Sequence, residues 1–418
     1  MSSTEAKTFY SGNSDQTCPP NPAAQSGRQD LFSEPGPKSV SSAQLAFDST
    51  YGPKPNLQKG PSIGSIELKN PFILAPMAGL TNYSFRSLCL EYGAAMAVTE
   101  MVSAVSLAHH GRNTLKLLKT DRNIENPFCV QLFGKDPQAM SLATMVAVHE
   151  AGADLVDLNL ACPARKVVSS GHGGALLKNP DLCLRIVEAM AQATRAPITV
   201  KLRPGFLKED GPTVLDLAPR LEAAGASALI LHGRYVSEGF SGQSDWSLVS
   251  RLAQRVKIPV IGSGDITEAA MAADLLAQSG AQAVMIGRAA RGRPFIFREC
   301  LEFLTTGSLT KPSLLERLEV AVKHARLLEA EVGPKACFRL RTILMWYTKD
   351  LPGAAALRAA ICREEKIDTQ LDLLTQAVHE AINNPLSALP SPSSPSSAAT
   401  KLLNYADSAT DSVDNSIN

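Results

Sequence analysis

Between about residues 61 and 309, short apolar runs alternate with longer stretches in which apolar residues recur every three or four positions. The runs are Phe72–Pro76, Met96–Glu100, Phe128–Phe133, Leu155–Leu160, Ile198–Leu202, Ala228–His232, Val260–Ser263 and Ala283–Gly287. They are rich in Val, Ile and Leu and nearly continuous, as strands buried on both faces are. Successive runs lie roughly 30 residues apart, the size of one strand–helix unit. Met140–His149, Leu182–Thr194 and Val214–Ala224, between them, carry the helical period. Several such segments end in Ala-Gly-Ala or Ser-Gly-Ala (Ala151–Ala153, Ala224–Ala226, Ser279–Ala281), where glycine suits a left-handed helix cap. No hairpin signal separates the runs. The pattern predicts parallel strands covered by helices, and eight units close naturally into a (β/α)8 TIM barrel of the α/β class. The competing architecture, an open doubly wound sheet, usually has fewer units and a different glycine signature after its first strand.

After about residue 310 the strands stop. Residues 313–332, 335–348, 354–363 and 367–382 keep helical periodicity, which predicts a small helical domain. The two ends, 1–60 and 385–418, are rich in Ser, Pro and other polar residues and poor in branched apolar ones. Such composition buries too little surface to offset its ordering entropy, so both ends are expected to be disordered tails. The expected organisation is therefore a tail at 1–60, a barrel at 61–309, a helical domain at 310–384 and a tail at 385–418.

Composition changes this picture little. Apolar residues make up 44% and charged residues 19%, which supports a sizeable core. The net charge of +1 gives no broad attraction to a polyanion, so any such contact must use a local basic patch. Eight cysteines are scattered without a Cys-x-x-Cys pair, the pattern of reduced thiols; Cys89, Cys129, Cys183 and Cys300 read as small core residues. The histidines show no metal-ligand spacing, and the adjacent His109 and His110 read as surface loop. No apolar run is long enough to span a bilayer, and the first residues do not resemble an export signal. A soluble cytoplasmic monomer without metal or membrane contact is the expectation.

Barrels of this kind carry their sites where the strands end. The residues that follow each run are Ala75–Asn82, Gln131 with Gly134, Asn159–Pro163, Lys201–Gly205, His232–Arg234, Gly262–Asp265 and Gly287-Arg288. Polar residues and glycines thus gather at one rim. Glycine-rich turns after the last two strands form the usual phosphate site of the fold, to which Arg288 adds a charge. Lys201, at a strand end, is placed to stabilise negative charge in the mouth. Gln131 and Met77 suit either a cofactor contact or core filling. Cys162 belongs to the mouth by position. No sequence neighbour is an obvious activating base and no metal partners stand out, so a proton-donating thiol fits better than a nucleophile.

Together these residues resemble the tRNA-dihydrouridine synthase family, and within it the bacterial B-type branch. The resemblance runs from about Ile66 to Ala381. It is carried by Ala75–Asn82, Asn159–Val167, Gly173–Leu177, Lys201–Gly205, His232–Arg234, Gly242–Trp246, Gly264–Ile266, Gly287–Ala289, Arg341 and Met345–Tyr347. Their order and spacing, rather than any single motif, make it specific. It implies an FMN enzyme that takes electrons from NADPH (or NADH) and saturates the C5–C6 bond of a uridine in tRNA. Carried over by motif, Pro76, Met77, Ala78, Gln131, Lys201, His232, Ser263, Gly264, Asp265, Gly287 and Arg288 would contact FMN. Asn159 would hold the uracil edge, Arg203 would lie near substrate or flavin, and Cys162 would be the general acid. The implied chemistry is hydride transfer from flavin N5 to C6 with proton delivery to C5 by the Cys162 thiol. The base must be flipped out of its stack to be reached. Lys335, Arg339, Arg341 and Lys349 of the helical domain would meet tRNA phosphates, whereas Trp346 and Tyr347 read more readily as core.

The sequence departs from the family pattern at Ala161, Ser263 and Pro204, where Gly, Asn and Thr are usual. Two rival readings remain at this level. One is a flavin barrel that reduces a small molecule such as a free pyrimidine. The other is a non-catalytic RNA-binding factor on a retained barrel.

Overall fold

All eight apolar runs form strands: β1 (Phe72–Leu74), β2 (Met96–Val98), β3 (Phe128–Phe133), β4 (Leu155–Leu160), β5 (Ile198–Leu202), β6 (Ala226–His232), β7 (Val260–Ser263) and β8 (Ala283–Ile286). Each pairs in parallel with its successor, and β8 pairs with β1, so the sheet closes into the expected barrel. The computed structural model describes residues 59–384. The expected tails therefore lie outside the described residues, apart from Lys59 and Gly60.

The barrel is wrapped by α1 (Tyr83–Glu91), α2 (Pro137–Met145), α3 (Pro180–Ala193), α4 (Val214–Ala223), α5 (Ser247–Ala253), α6 (Ala269–Ser279) and α7 (Ile296–Thr306). Their starts are written locally. Asp136 caps α2 by accepting from the Ala139 amide, and Asn179 caps α3 by accepting from Leu182, each just before a proline at the first helical position. The glycines of the three small-residue triplets, Gly152, Gly225 and Gly280, all have positive φ, as a left-handed cap requires. Past Met145 the expected helix continues as a wider π-turn over Val146–Glu150.

One expectation was incomplete. A short hairpin, Ser62–Ile63 against Ile66–Glu67, precedes β1. It turns through Gly64 at φ +57°, where a Cβ would stand only 2.7 Å from Pro197 Cγ, just before β5. Two-residue strands are too short to show alternation, so periodicity does not reveal them. Ile63 and Leu68 beside this hairpin join the apolar barrel interior with Ile73, Met96, Cys129, Leu155, Ala228, Ile261, Ala283 and Met285. The hairpin thus stops the end opposite the site.

Inward positions alternate along each strand. Moving toward the strand C-termini, the interior changes from this apolar plug to Gln131, Asp157, Thr199, Asn159, Lys201, His232 and Ser263. Sheet register places Gln131 beside Asp157, Asn159 beside Lys201, and His232 beside Ser263. Burial of apolar layers below therefore fixes a polar layer at one rim.

The last strand ends at Ile286, and α8 (Leu314–Val332), α9 (Ala336–Tyr347), α10 (Ala354–Arg363) and α11 (Ile367–Asn383) follow. They build their own core around Leu328, Leu340, Leu344, Ile361 and Leu374. This core meets the barrel through α1 and the loop after β8. Gly292 packs so closely on Trp346 that a Cβ would lie 2.6 Å from the Trp346 Cβ.

Candidate active site

Lys201 rises from β5 in the barrel mouth and is only 8% exposed. Among the described residues its ammonium makes no hydrogen bond or ion pair. Burial, and then Arg203, draw its pKa downward to about 8, opposed by the charge of Asp157. A buried cation without a partner is costly, and it points to an anionic or electron-rich occupant.

Beside it runs a chain of hydrogen bonds whose polarity is forced. The backbone N–H groups of Ala161 and Cys162 both donate to Asn159 Oδ1, at 3.0 Å each. Asn159 Nδ2 must then face Gln131 Oε1, at 2.9 Å, and Gln131 Nε2 donates to Asp157 Oδ2 at 2.7 Å. The Thr199 hydroxyl donates to the other carboxylate oxygen at 2.6 Å. Cys162 sits half-buried at the end of this chain, just beyond β4. The four cysteines expected in the core are all buried, and burial pushes the Cys183 and Cys300 thiols up to about 12. Position, not composition, sets Cys162 apart.

His232 is the site's neutral imidazole. Burial first, then the cations Lys201, Arg203, Arg234 and Arg288, hold its pKa well below the usual histidine range. It lies 3.3 Å from Arg234 Nη1. Ser263 donates its hydroxyl to Met285 O at 3.2 Å, across to β8. The turn after β7 is tightly specified. Gly264 has φ +116°, and a Cβ there would meet Ser244 Oγ at 2.4 Å and His232 Cδ2 at 2.7 Å. Asp265, at φ +56°, accepts from Arg234 and the Ser244 amide, each at 2.8 Å, and pairs with Arg288 at 3.4 Å. Its carboxylate thus organises the rim.

On the far side of the seam, Pro76 and Met77 are half-buried and Ala78 is exposed in the loop after β1. Met77 is tied into a turn with Thr81 by backbone and hydroxyl bonds. A Cβ placed on Gly287 would lie 3.7 Å from Met77 Sδ, so these residues adjoin. Arg288 lies 5.5 Å from the exposed ring of Phe240.

Two arginines expected at binding surfaces spend donors on backbone carbonyls instead, although Arg203 stays beside Lys201 and His232. Arg203 is 1% exposed, and its Nε and Nη1 donate to the carbonyls of Ala161, Tyr235 and Gly239 at 2.8 Å each. It clamps the loops after β4 and β6 rather than offering those donors to the mouth. Arg341 is also turned inward: Nη2 donates to Glu364 O at 3.0 Å, and the guanidinium covers Phe338. Lys335 and Arg339, one turn apart, are exposed on the other side of α9. Tyr347 is core, bonded to His324, and Trp346 packs at the barrel junction.

Several residues of the rim were given no role from the sequence. Asp157 stands two positions before Asn159, and period-two alternation along β4 would have put both inside the barrel. Arg234, 3% exposed, binds the Ser241 and Gly242 carbonyls as well as Asp265. Glu100, after β2, accepts from the Gly79 amide; burial raises its pKa, while Gly79 and the charge of Arg339 on α9 oppose the rise.

These residues fit a flavin. The unpaired buried Lys201 suits an electron-rich ring. Gln131 keeps an N–H beyond the one used in the chain, and Asn159 turns its second toward the soft acceptor Met101 Sδ at 3.6 Å. Gly264, Gly287 and Arg288 gather where a phosphate tail would end.

The chain also resembles known proteins over most of its length. Residues 73–383 match the sequence profile of the family described as "Dihydrouridine synthase". The chain is 37% identical over 335 residues to "Probable tRNA-dihydrouridine synthase 1" of Synechocystis sp., covering 79% of this chain and 93% of that protein. It is 38% identical over 316 residues to "tRNA-dihydrouridine synthase B" of Xanthomonas axonopodis pv. citri, covering 74% and 93%. The protein of that name from Pseudomonas aeruginosa is 37% identical over 327 residues, covering 77% of this chain and 97% of its own length.

Proposed function

The chain belongs to the tRNA-dihydrouridine synthase family, on its B-type branch, and from that premise we propose that it reduces the C5–C6 double bond of a uridine in tRNA. The observation that carries this reading is the buried, unpaired Lys201 on β5 beside the half-buried Cys162 that follows β4. An electron-rich ring and a proton donor are the two requirements of such a reduction.

In this reading FMN, when bound, supplies the hydride for C6, and NADPH (or NADH) restores it. Lys201 and Gln131 would hold the flavin ring, Lys201 through its charge and Gln131 through its remaining amide proton. Met77 packs beside the ring, in the loop that Pro76 and Ala78 share. His232, kept neutral by its cationic neighbours, lines the mouth without adding charge. Gly264, Gly287 and Arg288 hold the phosphate, while Ser263 and Asp265 brace that turn. Asn159, whose second amide proton rests on Met101 Sδ, would turn it from that weak acceptor to the uracil edge. The Cys162 thiol gives its proton to C5.

The helical residues 310–384 would form the RNA-contacting part beside a catalytic barrel at 61–309, with exposed Lys335 and Arg339 meeting phosphates. Arg341 would act indirectly, by anchoring α9 to Glu364. Among the described residues no helix is long and apolar enough to cross a membrane. We place the enzyme in the cytoplasm with its substrate.

The test is substrate dependence. Purified protein titrated with FMN should take up one flavin per chain. Reductant consumption should then require folded tRNA and weaken steeply as salt rises. Equal turnover on free uracil or uridine would replace this reading with small-molecule reduction.

A further inference from the structure

The polar chain beside Cys162 ends in a group that the proposed reaction does not itself use. Asp157 is 1% exposed, lies two residues below Asn159 on β4, and faces no solvent. Both carboxylate oxygens are engaged, by Gln131 Nε2 and by Thr199 Oγ1. At the other end the Ala161 and Cys162 amides fix Asn159 Oδ1 as an acceptor. Amide side chains carry a donor at one end and an acceptor at the other, and reversing either exposes the opposite polarity. Backbone amides orient Asn159, whose Nδ2 calls for the Gln131 oxygen, and Asp157 accepts from the Gln131 nitrogen, so the same polarity is held from both ends and the Gln131 side chain is anchored at its far end only by Asp157. With both ends fixed, Gln131 keeps one further N–H, and Asn159 rests its second on Met101 Sδ at 3.6 Å.

We infer that Asp157 is a positioning residue, which anchors the Gln131 amide and through Gln131 and Asn159 holds the Cys162 loop in register. It acts through these residues without touching substrate. The inference rests on the proposed reaction for its catalytic consequence, but not for its geometry. A buried carboxylate costs free energy to desolvate, and burial accordingly raises its pKa. That cost is intelligible where two amides depend on an acceptor at this point.

Two near-isosteric variants of the full chain separate the acceptor from the charge. Asp157→Leu removes the acceptor. Asp157→Asn restores it, since its oxygen can accept from Gln131 while its nitrogen donates to Thr199 Oγ1, a hydroxyl that can also accept. The Leu variant should lose about 100-fold in kcat, the scale of a small misplacement of reacting groups, with KM for tRNA unchanged. The Asn variant should recover most of it.

Alkylation of Cys162 by iodoacetamide, read by peptide mass spectrometry, needs neither flavin nor tRNA. It should accelerate about tenfold in the Leu variant as the loop opens more often, and return toward wild type in the Asn variant. In wild type, the side-chain amide protons of Gln131 and Asn159 should exchange slowly with deuterium by NMR, a measurement that does not depend on any variant folding. Wild-type alkylation and kcat in the Leu variant, an Asn variant as impaired as Leu, or free exchange of the wild-type amides would each overturn the inference. Absence of turnover in wild type with these three signatures intact would instead count against the proposed reaction.

Discussion

Cys162 and Lys201 reach the mouth from β4 and β5, which are adjacent in the barrel, and each has a distinct expected phenotype. Cys162→Ala should keep flavin and tRNA binding while lowering turnover by about 100-fold or more, the usual worth of a positioned proton donor. Binding titrations beside single-turnover assays check this. Lys201→Ala should weaken FMN binding by about 10- to 100-fold, as loss of a charge-assisted contact does; unchanged affinity and unchanged flavin reduction would remove its role. At this scale the sequence was partly legible. Strand ends mark the rim, so Asn159, Cys162, Lys201 and His232 follow from counting. Which way a rim arginine turns does not. Arg203 is drawn inward by carbonyls of Tyr235 and Gly239, residues brought to it only by the folded loop after β6. Asp157, inside an apolar run, reads as an exception to hydrophobic patterning until the alternation of β4 is applied to it.

At the scale of elements, the turn after β7 and the junction between α1, α8 and α9 carry most of the local specification. Gly264→Ala would force a Cβ into Ser244 and His232 at a positive φ, so a loss of about 2 kcal/mol or more is expected. Thermal or denaturant unfolding measures it, and a neutral result would show that the turn can shift. His324 on α8 is 1% exposed, stacks on Phe85 of α1 and bonds Tyr347 of α9, and burial lowers its pKa to about 3. Between that value and its ordinary 6.5, the unfolded chain binds a proton that the folded chain refuses. Stability should therefore fall as pH drops through this window, by at most about 5 kcal/mol from this group. His324→Gln should flatten the decline in melting temperature between neutral and acid pH; an unchanged slope would assign the acid sensitivity elsewhere. Strands and long helices were readable because their period persists over many residues. The short hairpin at Ser62–Glu67 was not, since its strands are shorter than the period that would reveal them.

For the whole molecule, a near-neutral chain that handles tRNA must concentrate its attraction. The exposed Lys335 just before α9 and Arg339 on it are the residues to test, and Arg341 is the control. Replacing Arg339 with alanine should lower the slope of log affinity against log salt by about 1, the signature of one lost phosphate contact. Arg341→Ala should leave that slope unchanged and lower stability instead. The reverse pattern would move the RNA-contacting face. The barrel and its attached helical core were legible from periodicity because burial dictates both. The pairing of the helical core with the rim, through Gly292 on Trp346, was not, because it depends on a close approach between distant residues. The account as a whole is tested most directly by mapping dihydrouridine, by mass spectrometry, in unmodified tRNA incubated with the FMN-loaded protein and NADPH. Wild type should add two hydrogens at a defined uridine, and Cys162→Ala should bind the same tRNA and add almost none. No reduced uridine with wild type, or equal reduction by both proteins, would contradict it.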